Sequence, residues 1–345
     1  MPPITALLIS DGRPGHYMLA EGIIAAIARR REVITHRLDV TRSRLLPGRL
    51  LALVTNARWP AHHLLANTYG IEPATLGRPD VIVSAGGETL AANILAARLT
   101  GAANLFYGSL RTYRPRDFTL VMTSYASQVD APNRLMTLKP SPLDPDALSD
   151  GPPPATAGAT PRTAGLILGG PAGRTARFSP EDWDGLVRLV DTTHAAWGTR
   201  WIIANAPRTP PAVSDRIAGL AAQGWTALAE FVDFRTAGPG TLARVIGPAE
   251  VVLVTADSST MLSETVWLRR PVVAVAPARC GLPANERAYR DYLRTNHWSA
   301  DIAIADLDPD RLRASLTALQ PLSGNPLDRL ATELTPHLPG LMATR

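Results

Sequence analysis

The sequence contains a single cysteine, Cys280, and a single lysine, Lys139, among its 345 residues. One cysteine excludes an internal disulfide framework and is typical of a protein kept in a reducing cytoplasm. No uninterrupted apolar run reaches the length of a membrane span, and the first residues lack the basic segment and long apolar core of a secretory signal. We therefore expect a cytoplasmic protein that has neither a membrane-spanning segment nor a secretory signal.

The net charge of +5 is carried almost wholly by arginine. Arginine favours bidentate contacts with phosphate groups of nucleotides, nucleic acids or anionic lipids. No concentrated basic block interleaved with aromatic residues is present, so we do not expect a nucleic-acid partner. The arginine-dotted region from Arg42 to Ala66 fits either a surface that rests on a membrane or ordinary packed helices with solvated arginines. Its helical pattern favours packed helices.

A chain of 345 residues is long for one core, so two domains are the default expectation. Alternating strand and helix patterns fill residues 1–140, stop in the segment 141–162 and resume over residues 163–345. The interruption is rich in proline, glycine, serine and alanine, which is typical of a linker. The predicted fold class is α/β, with two doubly wound domains.

Apolar, β-branched runs predict the strands. In the first domain they cover residues 4–10, 33–40, 80–85, 103–107 and 118–122, and in the second residues 164–168, 200–204, 225–231, 251–254 and 272–275. The last three helices are predicted at about 284–296, 310–319 and 327–338.

The stretch from Val251 to Pro277 reads as a strand, a polar turn, a helix and a second strand. Backbone N–H groups at such a helix N-terminus suit an anion, and the hydroxyl groups of residues 258–260 add donors. Glu264 lies one turn inside the helix, where a carboxylate suits a neutral diol such as a ribose. The unit therefore indicates a phosphate-plus-ribose site. N-capping and a favourable helix-dipole charge explain the same residues without a ligand.

Glycine turns follow other predicted strands at their carboxyl ends, where open α/β sheets gather their ligands. In the first domain these turns are Asp11–His16 and Gly86–Glu88. In the second, Gly169 and Gly170 follow one strand, and Arg208 follows the next. Arg174 and Asn205 are weaker candidates beside these turns.

Several of these turns resemble the bacterial and plant mitochondrial-fission (elongated-mitochondria) family. The segments that carry the resemblance are Asp11-Gly12-Arg13-Pro14-Gly15-His16, Leu168-Gly169-Gly170-Pro171, Arg208-Thr209-Pro210, and Val254 to Glu264 with Met261 and Ser263. That family is similar to GT-B glycosyltransferases such as the MurG type. The resemblance implies two Rossmann-like domains facing across a cleft, with a nucleotide-sugar donor on the C-terminal domain and the acceptor mainly on the N-terminal one.

The resemblance also distributes the binding residues between the two domains. On the donor side they are Gly169, Gly170, Arg208, Thr255, Asp257, Ser258, Ser259, Met261 and Glu264. On the acceptor side they are Gly12, Arg13, Gly15, Gly86 and Gly87.

A sugar transfer needs a base for the acceptor hydroxyl. The candidates are His16, Asp11 and Glu88, and His16 comes first because an imidazole titrates near neutral pH. Each has a structural alternative: His16 as a turn cap, Asp11 as an Asx turn and Glu88 as a first-turn helix charge.

The leaving diphosphate needs positive charge or N–H donors. The helix N-terminus after Thr255, the glycine backbone at residues 169–170 and Arg208 are expected to supply them, so we expect no metal and no cofactor. The Asp-x-Asp triplets at 144–146 and 306–310 lie in turn-like segments, and His62-His63 has no matching ligand set.

The resulting hypothesis is a metal-independent glycosyltransferase that moves a sugar from a nucleotide-sugar donor to a lipid or cell-envelope glycan acceptor. It would act in the cytoplasm, with a peripheral contact at the inner membrane face. Two alternatives stay open: a nucleotide-sugar epimerase or hydrolase of the same fold, and a non-catalytic membrane-associated scaffolding protein.

Overall fold

A computed structural model describes residues 2–43, 46–148, 152, 158–173, 175–238 and 241–342. These residues form two compact units. The first contains the residues up to Pro142 and those from Gly324 onward, and the second runs from Leu143 to Ser323.

The first unit is built on a parallel sheet whose described strands run in the order β2-β1-β3-β4-β5-β6. The strands are β1 Ile4–Ser10, β2 Val33–Asp39, β3 Val81–Ala85, β4 Ala103–Tyr107, β5 Leu120–Thr123 and β6 Arg134–Met136. The helices that accompany them are α1 Pro14–Ala28, α2 Gly48–Asn56, α3 Ala61–Tyr69 and α4 Leu90–Thr100. Strands β1 and β3 are almost wholly buried, as parallel strands covered on both faces should be.

The second unit repeats the plan with described strands in the order β10-β9-β7-β11-β12-β14. Its strands are β7 Thr163–Ile167, β8 Ala176–Arg177, β9 Arg200–Ala204, β10 Leu228–Val232, β11 Val251–Thr255, β12 Val272–Ala276, β13 Arg279–Cys280 and β14 Ser299–Ala303, of which β8 and β13 form a separate antiparallel pair. Its helices are α5 Pro180–Trp197, α6 Pro211–Ala222, α7 Phe234–Ala237, α8 Leu242–Ile246, α9 Ser259–Trp267, α10 Ala284–Thr295 and α11 Pro309–Thr317. The central strand β11 is buried along its whole length.

The region from Arg42 to Ala66 forms α2 and α3, which pack on the first core through Leu51, Val54, Leu64 and Leu65. The expected packed helices are therefore present. Part of the region is nevertheless apolar and exposed, since Leu53 retains 64% of its accessible surface. None of the described helices has the length and apolar content needed to cross a membrane.

The end of the chain departs from the predicted boundaries, which placed residues 163–345 in one domain. Helices α12 Pro326–Leu334 and α13 Pro339–Met342 belong to the first unit. The reason is an apolar face of α12, with Leu330 and Leu334 almost fully buried, together with a bidentate ion pair from Arg29, the residue that follows α1, to Asp328. Of the predicted linker 141–162, residues 149–151 and 153–157 lie outside the described part of the chain.

We expect Leu330→Ala to destabilise the first unit by about 2–5 kcal/mol, because it leaves a cavity where α12 is buried. Amide hydrogen exchange should become faster in α1 and stay unchanged in α5. The matched variant Leu316→Ala, in α11 of the second unit, should do the reverse. Faster exchange in α5 rather than α1 for Leu330→Ala would contradict the assignment of α12.

Candidate functional site

Each sheet has one point where the strand order reverses. In the second unit the chain moves from β7 outward to β9 and β10, then returns to β11 and continues to β12 and β14. The loops after β7 and β11 therefore diverge and leave a crevice at the carboxyl ends of these neighbouring strands, the usual ligand position in open α/β sheets. The donor residues predicted from the sequence lie in these two loops, at the end of β11, in α9 and, for Arg208, in the loop after β9.

Hydrogen bonds join the two loops at the crevice. The Gly169 N–H donates to Thr255 Oγ1 at 2.7 Å, and the Gly170 N–H donates to Asp257 Oδ2 at 3.1 Å. Neither position has room for a side chain. A Cβ at residue 169 would lie 2.3 Å from Asp257 Oδ2, and a Cβ at residue 170 would lie 1.8 Å from the Arg208 carbonyl oxygen. The structure thus gives protein partners to N–H groups that the sequence assigned to a diphosphate.

Asp257 is the centre of this arrangement. Its side chain is fully buried, and Oδ2 also pairs with Nη2 of Arg208 at 2.7 Å. Oδ1 is buried without a hydrogen-bond partner among the described residues. Because the Arg208 side chain remains 46% exposed, its guanidinium has N–H groups left for a ligand at the mouth of the crevice.

Helix α9 begins directly after this turn. The Ser258 side chain caps it by accepting a hydrogen bond from the Met261 N–H at 3.3 Å, so the capping role considered for this residue is present. The Ser263 hydroxyl donates to the Ser259 carbonyl oxygen at 2.8 Å. The α9 N-terminus thus begins at the switch point of the sheet, where its dipole favours an anion.

Glu264 lies in the second turn of α9 and is only 7% exposed. None of the described residues donates a hydrogen bond to its carboxylate or forms an ion pair with it. Burial raises the pKa of Glu264 from 4.5 to about 7. A buried carboxyl group left without a partner is costly for stability and is a feature of functional sites.

Arg290 in α10 supports the same turn and was missed by sequence reasoning. Its side chain, 4% exposed, donates from Nη2 to the Ala256 carbonyl oxygen at 2.7 Å and pairs with Glu286 at 3.3 Å. The spacing of four residues between Glu286 and Arg290 suggests an ordinary pair on one helix. Nothing in that spacing indicates a link to the turn after β11.

Of the two weaker candidates from the sequence, Asn205 does not join this group. Asn205 is buried, and its amide donates to Ser214 Oγ at 2.8 Å and to Asp233 Oδ1 at 2.9 Å. Its Oδ1 accepts from the Phe234 N–H at 2.6 Å, which makes Asn205 an anchor between two loops. Arg174 lies outside the described residues.

In the first unit the strand order reverses between β1 and β3, and the two predicted glycine turns follow these strands. His16 Nδ1 lies 2.7 Å from Asp11 Oδ2. The Asp11 side chain is 4% exposed, whereas that of His16 is 31% exposed. Asp11 Oδ1 also accepts from the Arg13 N–H at 3.2 Å. The buried carboxylate therefore orients a half-buried imidazole and leaves Nε2 for other partners.

Gly86 makes room for this imidazole. A Cβ at residue 86 would lie 2.2 Å from His16 Nδ1, and the residue has φ +91°, which also favours glycine. The two glycine turns are thus brought together as predicted, with His16 against Gly86. Gly12 has φ +76°, while Gly15 lies in the first turn of α1 with open space beside it.

Glu88 is held differently from the other candidate bases. Its Oε2 accepts from Nε of Arg42 at 2.7 Å, and its carbonyl oxygen accepts from the Tyr69 hydroxyl at 3.0 Å. The Glu88 carboxylate is thus already engaged by a guanidinium, whereas Asp11 leaves Nε2 of His16 for other partners. His16 therefore remains the first candidate base. Within the described residues, no three His, Cys, Asp or Glu side chains are grouped to hold a metal ion.

We expect Glu264→Gln to stabilise the second unit at alkaline pH. Because the folded-state pKa is raised, the stability contributed by the carboxyl group is fully present below about pH 4.5 and is lost as pH rises through about 7. The variant should match the parent near pH 4.5 and exceed it by about 3 kcal/mol near pH 8. Urea unfolding across this range measures the difference, with exposed Asp310→Asn as the control. A constant difference at all pH values would contradict a buried, titrating Glu264.

The fold is shared with solved structures of low sequence identity. UDP-GlcNAc 2-epimerase from Methanocaldococcus jannaschii is 11% identical, with 96% of this chain and 99% of that chain covered and a TM-score of 0.52. UGT2 from Phytolacca americana, complexed with UDP-2fluoro-glucose and pterostilbene, is 10% identical, with 97% and 99% covered and a TM-score of 0.51. MurG from Acinetobacter baumannii is 14% identical, with 99% of each chain covered, but its TM-score of 0.48 is too low to argue from.

The likenesses to the epimerase and to UGT2, together with the two parallel sheets, confirm the predicted α/β fold of two Rossmann-like doubly wound domains, as in GT-B proteins. No curated protein matches the chain in sequence. A family model described as "Mitochondrial fission ELM1" matches residues 14–315. The resemblance inferred from the turn motifs is thereby confirmed, and the chain belongs to the mitochondrial fission ELM1 family.

Proposed function

We propose that this protein is a glycosyltransferase that moves a sugar from a nucleotide-sugar donor to a lipid or cell-envelope glycan. The observation that carries the proposal is the pair of Asp11 and His16 at the switch point of the first sheet. An imidazole held by a buried carboxylate through one nitrogen presents the other as a base for a hydroxyl group.

Each residue then has a defined part in the transfer. His16 Nε2 takes the proton of the acceptor hydroxyl as its oxygen forms a bond to the anomeric carbon. The bond from that carbon to the diphosphate oxygen breaks, and the nucleoside diphosphate leaves with the electron pair. The α9 N-terminus and the exposed N–H groups of Arg208 stabilise its charge, and Glu264 accepts hydrogen bonds from the ribose diol.

This assignment uses no metal ion, because backbone dipoles and a guanidinium supply the positive charge. A nucleotide-sugar donor also agrees with two proteins of the same fold, a UDP-GlcNAc 2-epimerase and a UGT2 complexed with UDP-2fluoro-glucose. Because one of these two proteins is an epimerase, the second candidate function is a nucleotide-sugar epimerase or hydrolase.

The exposed apolar side chains on and beside α2 support an acceptor in or at a membrane. Leu50 and Leu53 of this helix are 43% and 64% exposed, and Trp59 after it is 57% exposed. Leucine and tryptophan beside arginine are typical of a peripheral membrane contact. These side chains support the proposal that the reaction occurs at the cytoplasmic face of a membrane.

We expect one nucleoside diphosphate, with its sugar conjugate, to raise the melting temperature of the purified protein. A ligand at about a hundred times its dissociation constant stabilises the native state by roughly 2.7 kcal/mol. A thermal-shift screen of UDP, GDP, CDP, TDP and their sugars measures this. Glu264→Ala should abolish the shift, and the exposed control Asp310→Ala should keep it. If no nucleotide shifts the parent protein, the scaffolding alternative is favoured instead.

With the donor identified, we expect His16→Ala to reduce sugar transfer to membrane extracts by about 10²–10⁴-fold, the usual contribution of a general base. Asp11→Asn should reduce the rate as well, because it removes the negative partner that orients the ring. Nucleotide binding should persist in both variants, and His36→Ala, an exposed histidine on β2, should behave as the parent. Transfer at the parent rate by His16→Ala would refute the base assignment. Inversion of the donor sugar without any acceptor would favour the epimerase.

A further inference from the structure

A cavity of about 440 Å³ opens in the first unit beside the turn between β3 and α4. This volume lies within the range of roughly 300–1,000 Å³ that is usual for small-molecule sites. Charged and phenolic side chains make up most of its lining, namely Arg42, Arg49, Tyr69, Glu88, Arg111 and Tyr113. We call it the arginine cavity.

The residues that line the arginine cavity leave it with a net positive charge. Three guanidinium groups and one carboxylate give a net charge of +2. Glu88 is already paired with Arg42 at 2.7 Å. In the described part of the chain, no carboxylate forms an ion pair with Arg49 or Arg111. Two guanidinium groups on the wall of one cavity are thus available to an anion.

Arg111 is held in an unusual position. Its φ of +54° is in the left-handed region, which residues other than glycine rarely adopt. Its guanidinium lies against the backbone of Gly87, where a Cβ would be 2.2 Å from Nη2 and 2.3 Å from Cζ. Gly87 has an ordinary backbone conformation, so glycine is needed here for the space that Arg111 occupies.

The two tyrosines do not offset this positive charge. Burial raises the pKa of Tyr113 to about 12 and raises the pKa of Tyr69 still further. Both phenols are therefore neutral at physiological pH, and Tyr69 is fixed by donating to the Glu88 carbonyl oxygen.

We propose that the arginine cavity binds a phosphate monoester or diphosphate group carried by the acceptor. A phosphate monoester has a charge of about −1.5 to −2 at pH 7, which matches the cavity. Guanidinium groups bind such oxygens in a bidentate manner. The assignment to the acceptor rests on the proposed glycosyl transfer, whereas binding of the phosphate group does not.

Titration calorimetry with inorganic diphosphate tests the cavity. All proteins carry Arg208→Gln, so that the donor-side guanidinium does not contribute. We expect Arg49→Gln with Arg111→Gln to bind at least about tenfold more weakly, since two charge-assisted contacts are lost. The matched pair Arg78→Gln with Arg116→Gln removes the same charge from exposed sites outside the cavity and should stay within about twofold. Equal affinity in both double variants overturns the proposal.

A second variant separates geometry from charge. Gly87→Ala keeps the net charge but puts a Cβ where the Arg111 guanidinium lies, and only the end of a flexible side chain must move. We expect a loss of diphosphate affinity of about tenfold with an unchanged melting temperature. Parental affinity in Gly87→Ala overturns the assigned position of Arg111.

Two further probes identify the source of the phosphate. Cosedimentation with phosphatidylcholine vesicles that contain phosphatidic acid, lost in Arg49→Gln with Arg111→Gln, supports a lipid-borne phosphate. Binding of glucose 1-phosphate without vesicle binding supports a soluble one, and binding of neither probe nor of diphosphate overturns the proposal. UDP titrated in parallel keeps the two proposals distinct, since its failure to bind the parent protein would reject the donor site alone.

Discussion

The buried carboxylate of Asp257 is the interaction on which the second unit's site depends. It stands in the turn after β11, accepts the Gly170 N–H from the turn after β7, and pairs with Arg208 from the turn after β9. One side chain thus joins the ends of three neighbouring strands. Because the strand order reverses between two of them, these turns would otherwise diverge. The position of α9, and with it Glu264, follows from this contact.

In the first unit, the turns at the switch point are held together by Asp11 and His16. Asp11 holds its own turn by accepting the Arg13 N–H and holds His16 over Gly86 of the neighbouring turn. In both units a buried aspartate at the switch point fixes the turns, and a glycine leaves the space for its partner. The two units differ in the group that stays accessible to a ligand. Beside Asp11 this group is an imidazole nitrogen of His16, and beside Asp257 it is the exposed part of the Arg208 side chain.

The sequence was sufficient for the architecture because parallel strands covered on both faces are continuous apolar runs. The strands at Ile4–Ser10, Ala103–Tyr107 and Arg200–Ala204 were predicted to the residue. Strand β14, Ser299–Ala303, was not predicted, since small and polar residues alternate in it and only Ser299 and Ile302 are buried. Strand β6 has only three half-buried residues, which are too few to form a recognisable apolar run.

The site was predicted in its turns but not in its contacts. Motifs and glycines indicated which loops converge, whereas the contact of His16 with Gly86 was not predicted. The ion pair between Arg42 and Glu88 spans 46 positions, and Arg290 reaches a backbone oxygen 34 positions away. Contacts between residues so far apart leave no periodic pattern in the sequence, so they could not be predicted from it. The expectation that the N–H groups of Gly169 and Gly170 are free to bind a diphosphate was wrong for the same reason, because both donate to side chains 86 and 87 positions away.

The return of α12 to the first unit has a consequence for how the protein is made. The second unit, Leu143–Ser323, is topologically an insertion within the first. It can close its core as soon as its own residues have been synthesised. The first unit cannot complete its core at that point, because Leu330 and Leu334, which pack beside α1, are synthesised after the whole second unit. Folding of the first unit is therefore completed after that of the second unit, although most of its residues are synthesised earlier.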